Sequence, residues 1–257
     1  MFTVALIGNP NSGKSTVFNA LTKLRQKVGN YPGVTVEKRV GRAVLDDGRV
    51  VEVLDLPGTY SLAVRSPDEE IVREVLLGHV TGTPLPDMVV CVIDASNLER
   101  NLYLVSQVMD LGLPTVLALN MMDEAKALGC QIAVERLAAN LGIPVVPMVA
   151  ARGQGVGELK KILAGPVAVP PVRSWLMPSV MEEEVERLAQ LLVQQKSWPG
   201  QAAFVETVLA ISDASDERLR DDKEWLELVA RAREHLTVRG VDWRSTAIEA
   251  RYNWIHH

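Results

Sequence analysis

Gly8-Asn9-Pro10-Asn11-Ser12-Gly13-Lys14-Ser15 fits the pattern G-x-x-x-x-G-K-[ST]; an apolar run, Thr3 to Ile7, precedes it, and a helical stretch, Lys14 to Leu24, follows. A chain with this signature must place a strand, a tight turn and a helix in immediate succession, which commits it to an α/β sheet. The two glycines let backbone N–H groups close around a β-phosphate, and the helix N-terminus adds its positive end. Lys14 is expected to reach the β- and γ-phosphates, and the Ser15 hydroxyl to ligate Mg²⁺. Asn9, Pro10, Asn11, Ser12, Gly13 and Thr16 complete the cradle. The expected ligand is a nucleoside triphosphate.

The rest of the first two thirds agrees with such a sheet. Apolar runs predict strands at Thr3 to Ile7, Arg39 to Leu45, Val50 to Leu54, Met88 to Ile93, Thr115 to Leu119 and Val145 to Met148. Helices are predicted at Lys14 to Leu24, Pro67 to Leu77, Leu98 to Met109, Ala133 to Leu141 and Val156 to Leu163. Asp46-Asp47-Gly48 between two of the strands reads as a hairpin turn, giving one antiparallel pair in an otherwise parallel sheet. Gly165-Pro166-Val167-Ala168-Val169-Pro170-Pro171 suits neither helix nor strand and marks a linker. Beyond it, helical periodicity predicts Val180 to Gln195, Gln201 to Ile211, Lys223 to His235 and Trp243 to Trp254.

Composition narrows the function. At 47% hydrophobic and 23% charged, the 257 residues are neither disordered nor fibrous. The net charge of -5 is carried wholly by residues 174–257, with 15 acids and 10 bases, which argues against an RNA-binding module there. All five tryptophans lie there and are expected in packing rather than in a ligand cage. Met1 precedes Phe2 to Ile7 without a basic segment or cleavage site, and no apolar run is long enough to cross a bilayer, so a soluble chain is expected. His79, His235, His256, His257, Cys91 and Cys130 lack ligand spacing, and no metal site is expected from them. Cys91 reads as a buried strand residue.

Two further motifs follow strands. Asp55-Leu56-Pro57-Gly58 ends Val50 to Leu54; there Asp55 would hold Mg²⁺ or its water and the Gly58 N–H would contact a γ-phosphate. Asn120-Met121-Met122-Asp123 ends Thr115 to Leu119. A carboxylate at Asp123 accepts from the N1–H and 2-amino group of guanine, whereas adenine would leave it desolvated and unpaired. Asp123 could instead serve as a helix N-terminal residue; its place after a strand favours GTP. Asn120 either bonds the base carbonyl or ties this loop to the phosphate loop.

These motifs in this order resemble the Ras-like P-loop GTPase domain. The resemblance makes Gln26 to Lys38 the first switch, with Thr35, beside Gly33 and Val34, as the Mg²⁺ and γ-phosphate sensor; otherwise Thr35 is a plain β-forming threonine. Val149-Ala150-Ala151-Arg152 stands at the fifth motif but lacks its serine, and Met121 replaces a lysine. Both departures imply modest GTP affinity and fast GDP release. Thr59 stands where such enzymes carry a water-orienting glutamine, and its hydroxyl cannot span that distance. Arg39 and Arg65 flank the switches but read as solvated, so no arginine finger is evident. A finger is worth roughly 10³–10⁵ in rate, or about 4–7 kcal/mol of barrier. In potassium-activated G proteins an asparagine at the Asn11 position helps hold K⁺ beside the phosphates, a cation that would do the arginine's task. Asn11 either does this or only shapes the loop. The catalytic candidates are then Asn11, Lys14, Thr35 and Gly58.

Gly8 to Thr16, Tyr31-Pro32-Gly33-Val34-Thr35-Val36-Glu37, Asp55 to Leu62 and Asn120 to Asp123 together resemble the cytosolic part of the bacterial FeoB ferrous iron transporters, and Ala250-Arg251-Tyr252 extends the likeness. The resemblance implies a G domain at 1–165, a linker at 166–178 and a small all-α domain, of the kind that stabilises the GDP state, at 179–257. It implies a slow, K⁺-stimulated GTPase using GTP/GDP, Mg²⁺ and K⁺ at the cytoplasmic face of the inner membrane. Its partner would be the family's membrane-embedded iron-permeation domain, with room for a small cytosolic regulator and a homo-oligomer, and without nucleic acid. The rival is a soluble GTPase of ribosome assembly or tRNA modification, which the acidic second part disfavours.

Overall fold

The computed structural model describes residues 1–64, 66–166, 169–171, 173–212, 219 and 221–257. Arg65, and Val167, Ala168 and Val172 of the expected linker, lie outside the described residues. Two compact units, Met1–Pro171 and Val172–His257, divide the chain.

The first unit is built on β1 (Thr3–Gly8), α1 (Lys14–Thr22), β2 (Gln26–Asn30), β3 (Glu37–Val44), β4 (Val50–Asp55), α2 (Pro67–Leu76), β5 (Met88–Asp94), α3 (Leu98–Asp110), β6 (Thr115–Asn120), α4 (Met122–Ala127), α5 (Val134–Leu141), β7 (Val145–Pro147) and α6 (Val156–Ala164). Among the described residues seven strands form one sheet in the order β2-β3-β4-β1-β5-β6-β7. β1 runs parallel to β4 and β5, and β5, β6 and β7 continue the parallel half. Every residue of β1 and β6 is buried, as expected of central strands covered by helices on both faces. Val4, Leu6, Val90 and Val92 meet Phe18 and Leu21 of α1 and Leu159 and Leu163 of α6 in one core. Burying each such side chain contributes about 1.5–3 kcal/mol.

The expected hairpin is β3–β4, antiparallel through Arg39–Asp55 to Val44–Val50. A further strand, β2, extends it on the outer side, where a switch loop was expected. All five β2 residues are exposed, so no alternation of apolar and polar residues announces it. α1 also ends two residues before the predicted Leu24, because Lys23 and Leu24 both take left-handed backbone. Ser66 caps α2, its hydroxyl accepting from the Glu69 N–H, with Pro67 opening the helix and Asp68, Glu69 and Glu70 in its first turn.

The second unit holds α7 (Ser179–Lys196), α8 (Gly200–Ile211), α9 (Lys223–Val238) and α10 (Thr246–His256). α7 buries Met181, Val185, Leu188 and Leu192, one stripe of an amphipathic helix. Trp175 and Trp225 are core residues, and Trp198, Trp243 and Trp254 pack at the edge of that core. No helix among the described residues is long and apolar enough to cross a membrane.

Candidate functional site

The three motifs meet at the carboxyl ends of β1, β4 and β6. β1 and β4 are adjacent, with Leu6 opposite Asp55, so the turn after Gly8 and the turn after Asp55 are neighbours. β6 reaches the same end through β5, where Asp94 lies opposite Asn120.

The loop after β1 is held close to the sheet. A Cβ on Gly8 would lie 2.1 Å from the Val92 carbonyl oxygen, so only glycine lets the chain leave β1 here. The Ser12 N–H donates to the Asn9 carbonyl at 3.2 Å. Gly13 has φ +82°, and a Cβ there would lie 2.3 Å from Asn120 Nδ2. Asn11 also adopts a left-handed conformation, at φ 67°, a strained choice for a non-glycine residue. Pro10 and Asn11 are exposed, as are Ser15 and Thr16 at the start of α1. Asn9 is buried with both amide atoms unpartnered, and the buried Ser12 hydroxyl is likewise unpartnered. Asn9 Nδ2 and the Ser12 hydroxyl are unpaired donors at a helix N-terminus, and a polyanionic ligand there would accept from them.

Lys14 Nζ is paired with the Asp55 carboxylate, and both side chains are largely buried. They line a cleft of about 290 Å³ together with Ser15, Gly58, Glu37 and Arg39. Ser15 and Asp55 are oxygen donors suited to Mg²⁺. Thr35 is exposed beside Val36 and is not in that lining. Gly33 has φ +80°, and Gly33 and Val34 are exposed in the same turn.

Asn120 makes the tie that the sequence left open. Its Nδ2 donates to the Ser12 carbonyl at 3.0 Å, and its Oδ1 accepts from the Ala150 N–H at 3.0 Å. One buried amide therefore joins the phosphate loop, the end of β6 and the turn after β7. Met121 takes left-handed backbone, φ 60°, at the start of α4. Asp123 follows, partly exposed, with Arg152 Nη2 3.3 Å from its carboxylate. Ala151, next to the buried Ala150, is exposed.

Thr59 is buried; its hydroxyl donates to the Ser61 carbonyl at 2.7 Å and its N–H to the Gly8 carbonyl at 3.1 Å. That hydroxyl fixes the turn after Gly58.

Two residues quoted within motifs were given no role of their own from sequence. Tyr31 is buried with its hydroxyl unpartnered, and burial, then the nearby Asp55 charge, push its phenol well above the ordinary range. A lone aromatic beside Pro32-Gly33 was the available signal. Arg152 reaches Asp123 from a different loop, a proximity that spacing does not reveal. Cys91 is wholly buried in β5, which raises its thiol pKa far above the ordinary range.

The FeoB transporter of Escherichia coli strain K12 is 40% identical over 203 residues, covering 77% of this chain and 26% of that protein. This chain thus spans about a quarter of the length of such curated relatives. The cytosolic domain of L. pneumophila FeoB superposes with a TM-score of 0.85 at 34% identity, over 99% of this chain and 96% of that one. NFeoB from S. thermophilus, solved bound to GDP.AlF4- and K+, superposes with a TM-score of 0.82 at 33% identity, over 100% of this chain and 98% of that one. With the family model for ferrous iron transport protein B matching residues 2–163 as well, the chain belongs to the FeoB family, as a stretch from its N-terminal part.

Proposed function

We propose that this chain binds GTP and GDP with Mg²⁺ and hydrolyses GTP slowly, with stimulation by K⁺. On this reading residues 1–165 are the G domain, 166–178 the linker and 179–257 the helical domain. The observation that carries the reading is the double hydrogen bond of Asn120, which holds the phosphate loop and the base-reading turns as one surface. The nucleotides and K⁺ bound by the S. thermophilus relative support it.

In the proposed site the backbone from Asn9 to Thr16, including Pro10, wraps the phosphates, and Lys14 leaves Asp55 to meet the β- and γ-oxygens. Mg²⁺, when bound, neutralises charge between those oxygens; Ser15, Thr35 and Asp55 would hold it. Gly33, Val34 and Thr35 close over the γ-phosphate, and the Gly58 N–H contacts it. Asp123 reads guanine, with Asn120, Met121, Ala150 and Ala151 around the base. Asn11 would hold K⁺ where an arginine finger otherwise lowers the barrier.

The state of this switch would gate or drive ferrous iron uptake through a membrane-embedded permeation domain, placing this part at the cytoplasmic face of the bacterial inner membrane. A small cytosolic regulator and self-association are compatible with it. The test is GTP turnover in KCl and in NaCl at equal ionic strength, for this chain and for Asn11→Ala. K⁺ stimulation that disappears in the variant is expected. Equal stimulation of both would remove Asn11 from the role, and equal slow rates in both salts would remove K⁺ from the mechanism.

A further inference from the structure

The turn between α1 and β2 is strained and cationic at once. Lys23 and Leu24 adopt φ 51° and 63°, two consecutive non-glycine residues in the left-handed region, where each costs roughly 1–2 kcal/mol. The turn leaves Leu24 69% exposed between Lys23 and Arg25, which are exposed as well. Lys27, Arg42 and Lys160 line grooves beside Arg25. Two grooves, of about 540 and 100 Å³, share Arg25, Arg42 and Val44 as lining. Glu52 is the one carboxylate among the residues that line them. Among the described residues none of the five cationic side chains has an ion-pair partner. Five cations, with Glu52 opposite Arg42 as the one nearby carboxylate, gather at one end of residues 1–173, a stretch whose net charge is zero.

We propose that this turn and the adjoining face of β2 and β3 dock on an anionic phospholipid surface, with Leu24 entering the headgroup layer and Lys23, Arg25, Lys27, Arg42 and Lys160 meeting the phosphates. The charge is complementary to such a surface, and an apolar side chain flanked by cations is what an interfacial anchor requires. A strand from an acidic protein could instead extend the sheet at the outer side of β2. Lys27 within that strand works against edge pairing, and such pairing would not use Leu24, which lies outside β2. Lys27 lies in the segment expected as the first switch, but Lys23, Leu24 and Arg25, the residues varied below, lie outside it and outside the proposed GTP site.

The experiment is flotation of the 257-residue protein with vesicles of phosphatidylcholine alone and with one third phosphatidylglycerol, at low and high salt. Binding to the anionic vesicles alone, released by high salt, is expected. Each cation near the surface contributes about a fivefold gain in partitioning, so Lys23→Gln with Arg25→Gln lowers binding about 25-fold. Leu24→Ser lowers it while leaving the salt dependence in place. Both variants keep the GDP binding and thermal unfolding of the parent, which separates this inference from the nucleotide site. Absence of binding to anionic vesicles would overturn it. So would binding that neither variant weakens, or loss in the variants of self-association or of binding to an acidic peptide in place of lipid.

Discussion

Lys14 and Asp55, from the first turn of α1 and the last residue of β4, are paired at the floor of the cleft, with side chains 11% and 4% exposed. An ammonium and a carboxylate this well buried are each costly without the other. On the proposed function, nucleotide entry would exchange one partner for another, with phosphate taking Lys14 and Asp55 freed toward a cation. Lys14→Ala is expected to lower single-turnover GTP hydrolysis about 10²–10³-fold, the usual cost of one positioned donor. It should also lower the thermal midpoint of the nucleotide-free protein, because Asp55 is left uncompensated. Hydrolysis at the parent rate would exclude Lys14 from the phosphate site.

Gly13 is required twice, by its backbone and by its neighbour. Its φ of +82° disfavours any side chain, and a Cβ would stand 2.3 Å from Asn120 Nδ2. Gly153 has a similar φ of +71° but nothing within 4 Å of the position of a Cβ. Gly153→Ala should cost about 1–2 kcal/mol for the left-handed backbone alone. Gly13→Ala should cost more, up to about 4 kcal/mol, because it also pushes Asn120 off Ser12 and Ala150. Urea unfolding of the two variants measures the difference, and equal losses would mean that the Asn120 contact yields without cost.

The phosphate loop, D-x-x-G and N-x-x-D were legible because each is a short local pattern fixed to a strand end. Their meeting at one end of the sheet followed from strand order, as in other open α/β sheets. β2 was not legible: Gln26–Asn30 is a polar, fully exposed edge strand held by its pairing with β3. Neither role of Asn120 could be chosen from sequence, since the choice depends on Ser12 and Ala150 lying within hydrogen-bond reach from opposite sides. The Tyr31 phenol and the Arg152–Asp123 pair are tertiary proximities of the same kind.

Asp123 stands on the first turn of α4 with Arg152 as its neighbour, a carboxylate open enough to meet a base. Asp123→Asn replaces two acceptors by one acceptor and one donor. The guanine N1–H and 2-amino group then face an amide that satisfies only one of them. GTP affinity should fall at least about 100-fold, by the logic that an unpaired buried polar group is heavily penalised. Xanthosine triphosphate, which carries a carbonyl in place of the 2-amino group, should bind the variant better than GTP. Competition of both nucleotides against a fluorescent GDP analogue decides the matter. Unchanged GTP preference would leave Asp123 as a helix N-terminal residue only.

In the second unit, Glu184 on α7 accepts from the Arg187 guanidinium at 2.6 Å and lies 2.7 Å from His235 Nδ1 on α9. Burial opposes its ionisation, but the hydrogen bonds from Arg187 and His235 outweigh it and hold the carboxyl below its ordinary range. Asp222 is depressed likewise, by Lys196 and by the Trp225 N–H it caps. As pH falls through the ordinary carboxylate range, near about 4.3, the unfolded chain takes up protons first, and unfolding is favoured. The stabilisation from these carboxylates is complete above that range and gone once pH drops below their folded values. Glu184→Gln should therefore lower the thermal midpoint at neutral pH and flatten, in part, its fall toward acid, with Asp222 supplying some of what remains. Melting followed by helical circular dichroism from neutral to acid pH gives both curves. Parallel curves would show that the acid loss comes from other groups, whereas convergence toward acid would assign this share of it to Glu184.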